Sequence, residues 1–191
     1  MPEPCFVRLP SIRADRVSFV ADDDVWLCAA TGGVARRLTA DHAPITSTYL
    51  SPDGSLVAFS GQRDGGPEVY VVGTDGGPVR RLSWFGSAGA RVVGWRGDGE
   101  VLAVSSAGEP FSSRTWAYAL PVAADGPPER LGYGPVTAIA SQPGGGTVLG
   151  VNQSRHRGAA WKRYRGGTAA ALWIDRDGSG SFERFLTALD G

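Results

Sequence analysis

Thr46-Ser47-Thr48-Tyr49-Leu50, Ser51-Pro52-Asp53-Gly54 and Leu56-Val57-Ala58-Phe59 open the stretch that decides the fold. Glu68-Val69-Tyr70-Val71-Val72, Thr74-Asp75-Gly76-Gly77 and Val79-Arg80-Arg81-Leu82 complete it. The apolar runs are short and rich in β-branched and aromatic residues, which favours strands over helices. Between them lie turns. Proline presets φ, and Asp-Gly accepts the left-handed geometry of a tight hairpin. Four strands therefore follow one another, the last short and charged. Arginines on an outer edge strand guard against edge-to-edge pairing.

The unit repeats. Arg36-Arg37-Leu38, Arg80-Arg81-Leu82, Glu129-Arg130-Leu131 and Glu183-Arg184-Phe185 close four similar segments, returning after 44, 49 and 54 residues. A period of about 40–50 residues, with several short strands in each unit, is the signature of a β-propeller. Unit one reads as Arg16–Val20, Val25–Cys28 and its closing arginines. Unit three reads as Arg91–Trp95, a Gly97-Asp98-Gly99 turn, Val101–Val104 and Trp116–Tyr118. Unit four reads as Val136–Ile139, a Pro143–Gly146 turn, Val148–Val151 and Leu172–Ile174. The expected blades are 5–39, 45–83, 90–132 and 136–187, each of four antiparallel strands. An aromatic recurs in the third strand, as Trp26, Tyr70, Trp116 and Trp173, and is expected to pack between neighbouring blades. No stretch holds a 3.6-residue period over three turns, so the fold class is all-β with at most short helical turns.

Composition agrees. Of 191 residues, 28 are glycine and 13 proline, which suits many short strands joined by tight turns. Basic and acidic residues balance at 19 each, so no global field draws the chain to nucleic acid or to anionic membrane. Cys5 and Cys28 are the only cysteines and make no disulfide framework. No apolar run reaches the roughly 20 residues that span a bilayer. Met1-Pro2-Glu3-Pro4 opens no signal-peptide pattern. A cytoplasmic location is expected.

Candidate sites are few. The histidines, His42 and His156, lie in connecting loops with no Gly-x-Ser-x-Gly elbow, so no Ser-His-Asp triad and no catalytic residue is expected in this chain. Asp175-Arg176-Asp177-Gly178-Ser179-Gly180 imitates the first half of a calcium loop. Leu186 stands where the bidentate glutamate belongs, so a glycine-rich turn is expected, with no metal and no cofactor. Two inserts stand out. Ser105 to Thr115 separates the second and third strands of blade three. Asn152 to Thr168 is basic and aromatic, with Trp161, Arg163, Tyr164 and Arg165. Interleaved Trp and Arg suit a contact with another domain or subunit better than nucleic acid. His42, Arg114 and the 152–168 insert are expected on one propeller face.

The opening Pro10-Ser11-Ile12 with Phe19–Trp26 resembles the start of tricorn-type proteases. So do Pro110–Trp116, Trp161–Thr168 and Leu172–Asp175 running into Asp177–Gly180. The resemblance covers nearly the whole chain. It implies about four blades of the six-bladed N-terminal propeller of a large hexameric cytoplasmic serine peptidase that degrades short peptides. In that family the catalytic residues lie in a C-terminal region that nothing here resembles. The implied partners are the remaining blades, the peptidase domains, further copies in a homo-oligomer, and peptides. Arg114 matches an arginine thought to hold the C-terminal carboxylate of a bound peptide, through the two-pronged pairing that guanidinium allows. Ser113 stands where a second arginine is expected. Two alternatives are a stand-alone TolB-like propeller module that binds protein partners, and a non-functional truncated remnant. The local repeat leaves ring closure open.

Overall fold

The computed structural model describes residues 6–63, 65–123, 126–142, 145–151 and 170–186. They form four sheets of four antiparallel strands. Blade one holds β1 (Arg8–Arg13), β2 (Arg16–Ala21), β3 (Asp24–Ala29) and β4 (Arg36–Arg37). Blade two holds β5 (Ile45–Leu50), β6 (Leu56–Gly61), β7 (Glu68–Gly73) and β8 (Arg80–Arg81). Blade three holds β9 (Ala90–Arg96), β10 (Glu100–Ser105), β11 (Trp116–Pro121) and β12 (Glu129–Pro135). Blade four holds β13 (Ala138–Ser141), β14 (Thr147–Val151), β15 (Ala171–Asp175) and β16 (Glu183–Phe185). Strand order within every sheet is the order of the chain. The one helical turn among the described residues is a 3-10 turn, Gly86–Ala88, in the connection between blades two and three.

Blade one carries a strand that the repeat does not disclose. β1 pairs with β2 although its register shifts between Arg8 and Ser11, and Leu9 sits at φ 55°. The irregularity and Pro10 hide it from a reading of alternation, so Arg16–Ala21 is the second strand of its blade and not the first.

Period-2 alternation builds the packing. In blade two, Val57, Phe59, Tyr70 and Val72 face blade one and, with Ile45 and Leu50 of their own blade, meet Val20, Val25 and Leu27. The intervening Ala58, Val69 and Val71 face blade three, against Val92, Trp95, Val101, Ala103, Tyr118 and Leu120. A third cluster joins blades three and four through Leu102, Val104, Ala117, Ala119, Leu131, Ile139 and Leu149. Four blades thus enclose three apolar seams.

The innermost strands adjoin in sequence, β1 to β5, β5 to β9 and β9 to β13, and among the described residues β13 does not lie against β1 in the same way. Side chains tie them to neighbouring backbone. Thr48 donates to the Leu9 carbonyl at 2.8 Å, the Leu50 N–H donates to Ser11 Oγ at 3.0 Å, and the Trp95 indole donates to the Tyr49 carbonyl at 3.1 Å. At the other end of the blades, Arg16 of blade one donates to the Gly54 carbonyl at 3.1 Å, and Arg36 donates to the Thr74 carbonyl.

The Ser51–Leu56 turn shows why its residue types recur. The Gly54 N–H donates to the Ser51 carbonyl at 2.9 Å with Gly54 at φ 73°, a conformation that costs a side-chain-bearing residue energy. Ser51 Oγ donates to Asp53 Oδ1 at 2.5 Å, and the Ser55 N–H donates to the same oxygen at 3.0 Å. The Ser51 hydroxyl, followed by the Ser55 amide, pulls the Asp53 carboxyl down from the usual 3.8 to about 2.

Candidate functional site

The loops between second and third strands lie on the same face as the connections between blades. Arg63, just past β6, pairs at 2.8 Å with Asp41 of the first connection. His42 of that connection places Nδ1 3.3 Å from the carbonyl of Asp22, in the turn between β2 and β3. Ala90, at the end of the second connection, donates its N–H to Pro67 at 2.7 Å. His42 and the loop that carries Arg114 therefore share a face. The 152–168 insert, including Trp161, Arg163, Tyr164 and Arg165, and with it His156, lies outside the described residues.

Buried acids hold these connections. Asp24 and Glu68 begin β3 and β7 and are 0% and 1% exposed. Asp24 Oδ1 accepts from the Thr39 hydroxyl at 2.7 Å and from the Asp41 N–H at 3.1 Å, while Oδ2 lies 3.7 Å from Arg37 and 3.5 Å from His42 Nδ1. Glu68 accepts from Ser83 Oγ, from Arg81 at 3.0 Å and from the Gly86 N–H at 2.8 Å. Each acid thus gathers the arginine of its own fourth strand, a hydroxyl two residues on, and a backbone N–H of the following connection. A buried charge is tolerated only with partners of this kind. The sequence carried the signal. Acid, arginine and hydroxyl recur at one spacing in Asp24, Arg37, Thr39 and in Glu68, Arg81, Ser83.

Strand register corrects one expectation. Trp26, Tyr70 and Trp173 lie opposite Arg37, Arg81 and Arg184, but the aromatic opposite Arg130 is Tyr118. Trp116 instead occupies the register of the buried acids. Tyr118 and Trp116 both pack in the seam between blades two and three, and Tyr70 in that between one and two. Trp173 remains 36% exposed, and alternation puts Trp26 on the face of blade one that no described blade covers.

Blade three therefore has no acid at this register, and its arginine is used differently. The Arg130 guanidinium carbon lies 3.6 Å from the centroid of the Trp116 ring. One guanidinium nitrogen donates at 2.7 Å to Glu109 of the 106–115 loop. The Tyr118 hydroxyl, whose pKa burial raises, donates to the Ala107 carbonyl of the same loop at 3.1 Å. The connection that follows is held by the strand itself. β12 runs on to Pro135, opposite Trp116, and the Val136 N–H donates to the Thr115 carbonyl at 2.8 Å.

Between the 84–88 connection and this loop lies a cleft of about 560 Å³, lined by Trp84, Phe85, Ala88, Glu109, Pro110 and Ser112 among others. Trp84 and Phe111 stand 70% and 64% exposed at its rim and in its loop. Arg114 is exposed two residues beyond Ser112. Its N–H closes a turn onto the Phe111 carbonyl at 3.1 Å, and among the described residues its guanidinium meets no partner. The arrangement offers one uncommitted cation and exposed aromatic surface on a tethered loop. The Asp175 segment is a turn closed on itself: its carboxylate accepts the N–H groups of Gly178 and Gly180 at 2.9 and 2.8 Å. Serine hydroxyls of neighbouring turns are not among His42's described partners, which are a carbonyl and a carboxylate.

Comparison with known proteins agrees with this architecture. The family described as the tricorn protease N-terminal beta propeller domain matches residues 4–190. Tricorn protease homolog 1 of Streptomyces coelicolor is 46% identical over 188 residues, which are 98% of this chain and 17% of that protein. A tricorn-like protease N-terminal subunit of Sulfurisphaera tokodaii is 30% identical over 172 residues, which are 88% of this chain and 85% of that one. The crystal structure of the tricorn protease superposes with a TM-score of 0.77 at 30% identity, over 95% of this chain and 18% of that one. The chain spans about a sixth of the length of the first curated relatives it matches. Four sheets of consecutive strands, packed face to face and matched by this family along almost their whole length, place the chain in the tricorn protease family, within its N-terminal β-propeller.

Proposed function

We propose that this chain is the non-catalytic propeller portion of a tricorn-like cytoplasmic serine peptidase. Its work is to guide short peptides and to support assembly with further blades, peptidase domains and other copies. The observation that supports this best is the pair of unfinished ends. Strand alternation puts Val17, Phe19, Trp26 and Cys28 on the side of blade one, and Val148, Leu172 and Ile174 on the side of blade four, that no described blade covers. All are half-buried and apolar, as surfaces awaiting further blades would be. Arg114, uncommitted on its loop, suits the carboxylate of a passing peptide. The basic, aromatic 152–168 insert suits contact with a neighbouring domain.

A second reading has its own support. The Sulfurisphaera tokodaii relative is named a subunit and is nearly matched in length. This chain then acts as a separate polypeptide that docks onto the rest of such a peptidase. One experiment tests both. The purified chain is mixed with the Streptomyces coelicolor homolog lacking the corresponding N-terminal segment. Mass is followed by light scattering, and hydrolysis of short peptides is assayed. Complex formation with recovered hydrolysis is the expected result. A monomer indifferent to the remainder argues for a stand-alone module, and hydrolysis by the chain alone overturns the non-catalytic assignment.

A further inference from the structure

The third blade departs from the first two at one register, and the departure has a direction. In blades one and two the fourth-strand arginine turns inward to a buried acid, and the pair holds the connection to the next blade. In blade three that acid is Trp116, and the hydroxyl two residues past the arginine is Gly132. The connection no longer needs holding, because β12 continues to Pro135 and reaches it directly. Arg130 is released from the structural duty of Arg37 and Arg81. Its guanidinium carbon sits over the Trp116 ring, 3.6 Å from the centroid, and it reaches Glu109, 21 residues earlier in the chain. Glu109 is a loop residue whose side chain is only 15% exposed.

We propose that Arg130 is the positioning residue of the 106–115 loop, holding Phe111 and Arg114 at fixed places on the propeller face for a peptide's C-terminal end. Contact with the ring limits where the guanidinium can swing, and the N–H that it keeps free of the ring donates to Glu109. Tyr118 adds a second tie at Ala107. A loop pinned at 107 and 109 and paired again at Thr115 has little freedom between. A recognition group held in advance binds with less ordering cost than one on a free loop. The peptide part of this inference rests on the function proposed above; the tethering part does not.

The two parts separate by experiment. Amide hydrogen exchange across 106–114 is compared in the purified chain and in Arg130→Ala, Arg130→Lys and Glu109→Gln. Exchange in the loop is expected to rise about tenfold or more in Arg130→Ala and Glu109→Gln, with β10 and β11 unchanged. Lysine is expected to restore little, since it lacks the planar fork. Unchanged loop exchange, or an equal rise in β10 and β11, overturns the tethering. Binding is then measured by calorimetry with Ala-Ala-Phe and with its C-terminal amide. The free acid is expected to bind more tightly, Arg114→Ala to erase that preference without loosening the loop, and Arg130→Ala to weaken the acid about tenfold and the amide little. If the loop loosens in Arg130→Ala but the intact chain does not distinguish acid from amide, the tether stands and the peptide reading falls.

Discussion

Asp24 and Glu68 are small features of the sequence with large structural weight. Each is a charge taken out of water and made tolerable by an arginine, a hydroxyl and a backbone N–H. Breaking one side of such a pair leaves the other side buried and uncompensated. Arg81→Ala is expected to cost about 2–4 kcal/mol, below the roughly 3–5 of a fully buried pair because the arginine is partly wet. Denaturant unfolding checks it. Glu68→Gln keeps the shape and is expected to lose less than Arg81→Ala. At this scale the sequence was legible only in part. The acid–arginine–hydroxyl spacing is present twice, but its members sit on different strands and past a strand end, so no local periodicity marks it as a contact. Order along the chain offers Trp116 as the recurring aromatic, whereas the register that gives that place to Tyr118 is a property of pairing. The tie between Glu109 and Arg130 joins residues 21 apart across a loop, with no local pattern to announce it.

The elements themselves were largely legible. Short apolar runs and turn chemistry specify the strands, because both faces of a blade are buried and each turn demands particular residues. β1 was not, because Pro10 and the left-handed Leu9 break the alternation there. The Ser51–Leu56 turn makes a prediction about acid. A carboxyl whose pKa is lowered to about 2 stabilises the fold above its ordinary value of 3.8 and loses that contribution as pH falls toward 2. Asp53→Asn is therefore expected to be less stable at neutral pH, with a flatter loss of stability between pH 4 and 2, as melting temperature against pH reveals. The seam between blades three and four makes another. Leu102 is wholly buried there, and Leu102→Ala is expected to cost about 2–5 kcal/mol. Calorimetry or chemical denaturation checks the value, and a cost below about 1 kcal/mol argues that this seam is loosely closed.

The whole molecule is a row of four blades with two apolar ends. In isolation it is expected to self-associate, with a light-scattering mass that rises with concentration. Substituting one end with Trp26→Glu, or the other with Ile174→Lys, is expected to lower that mass, and both together to lower it further. A concentration-independent monomer argues that the ends cover each other. The arc, not its completion, was legible in the sequence: blade count follows from repeats, whereas closure depends on faces that a local pattern does not describe.

Every sheet is made of strands that follow one another in the chain, so no strand is borrowed across a seam. Neighbouring blades grip each other by interdigitated side chains and a handful of side-chain bonds to backbone, not by a ladder. Parting two blades therefore wets a surface without orphaning a row of amides. The molecule is jointed at its seams: a blade gained or lost there leaves its neighbours' strand ladders whole, and the connections at 38–44 and 82–89 are where evolution or an engineer can cut and rejoin.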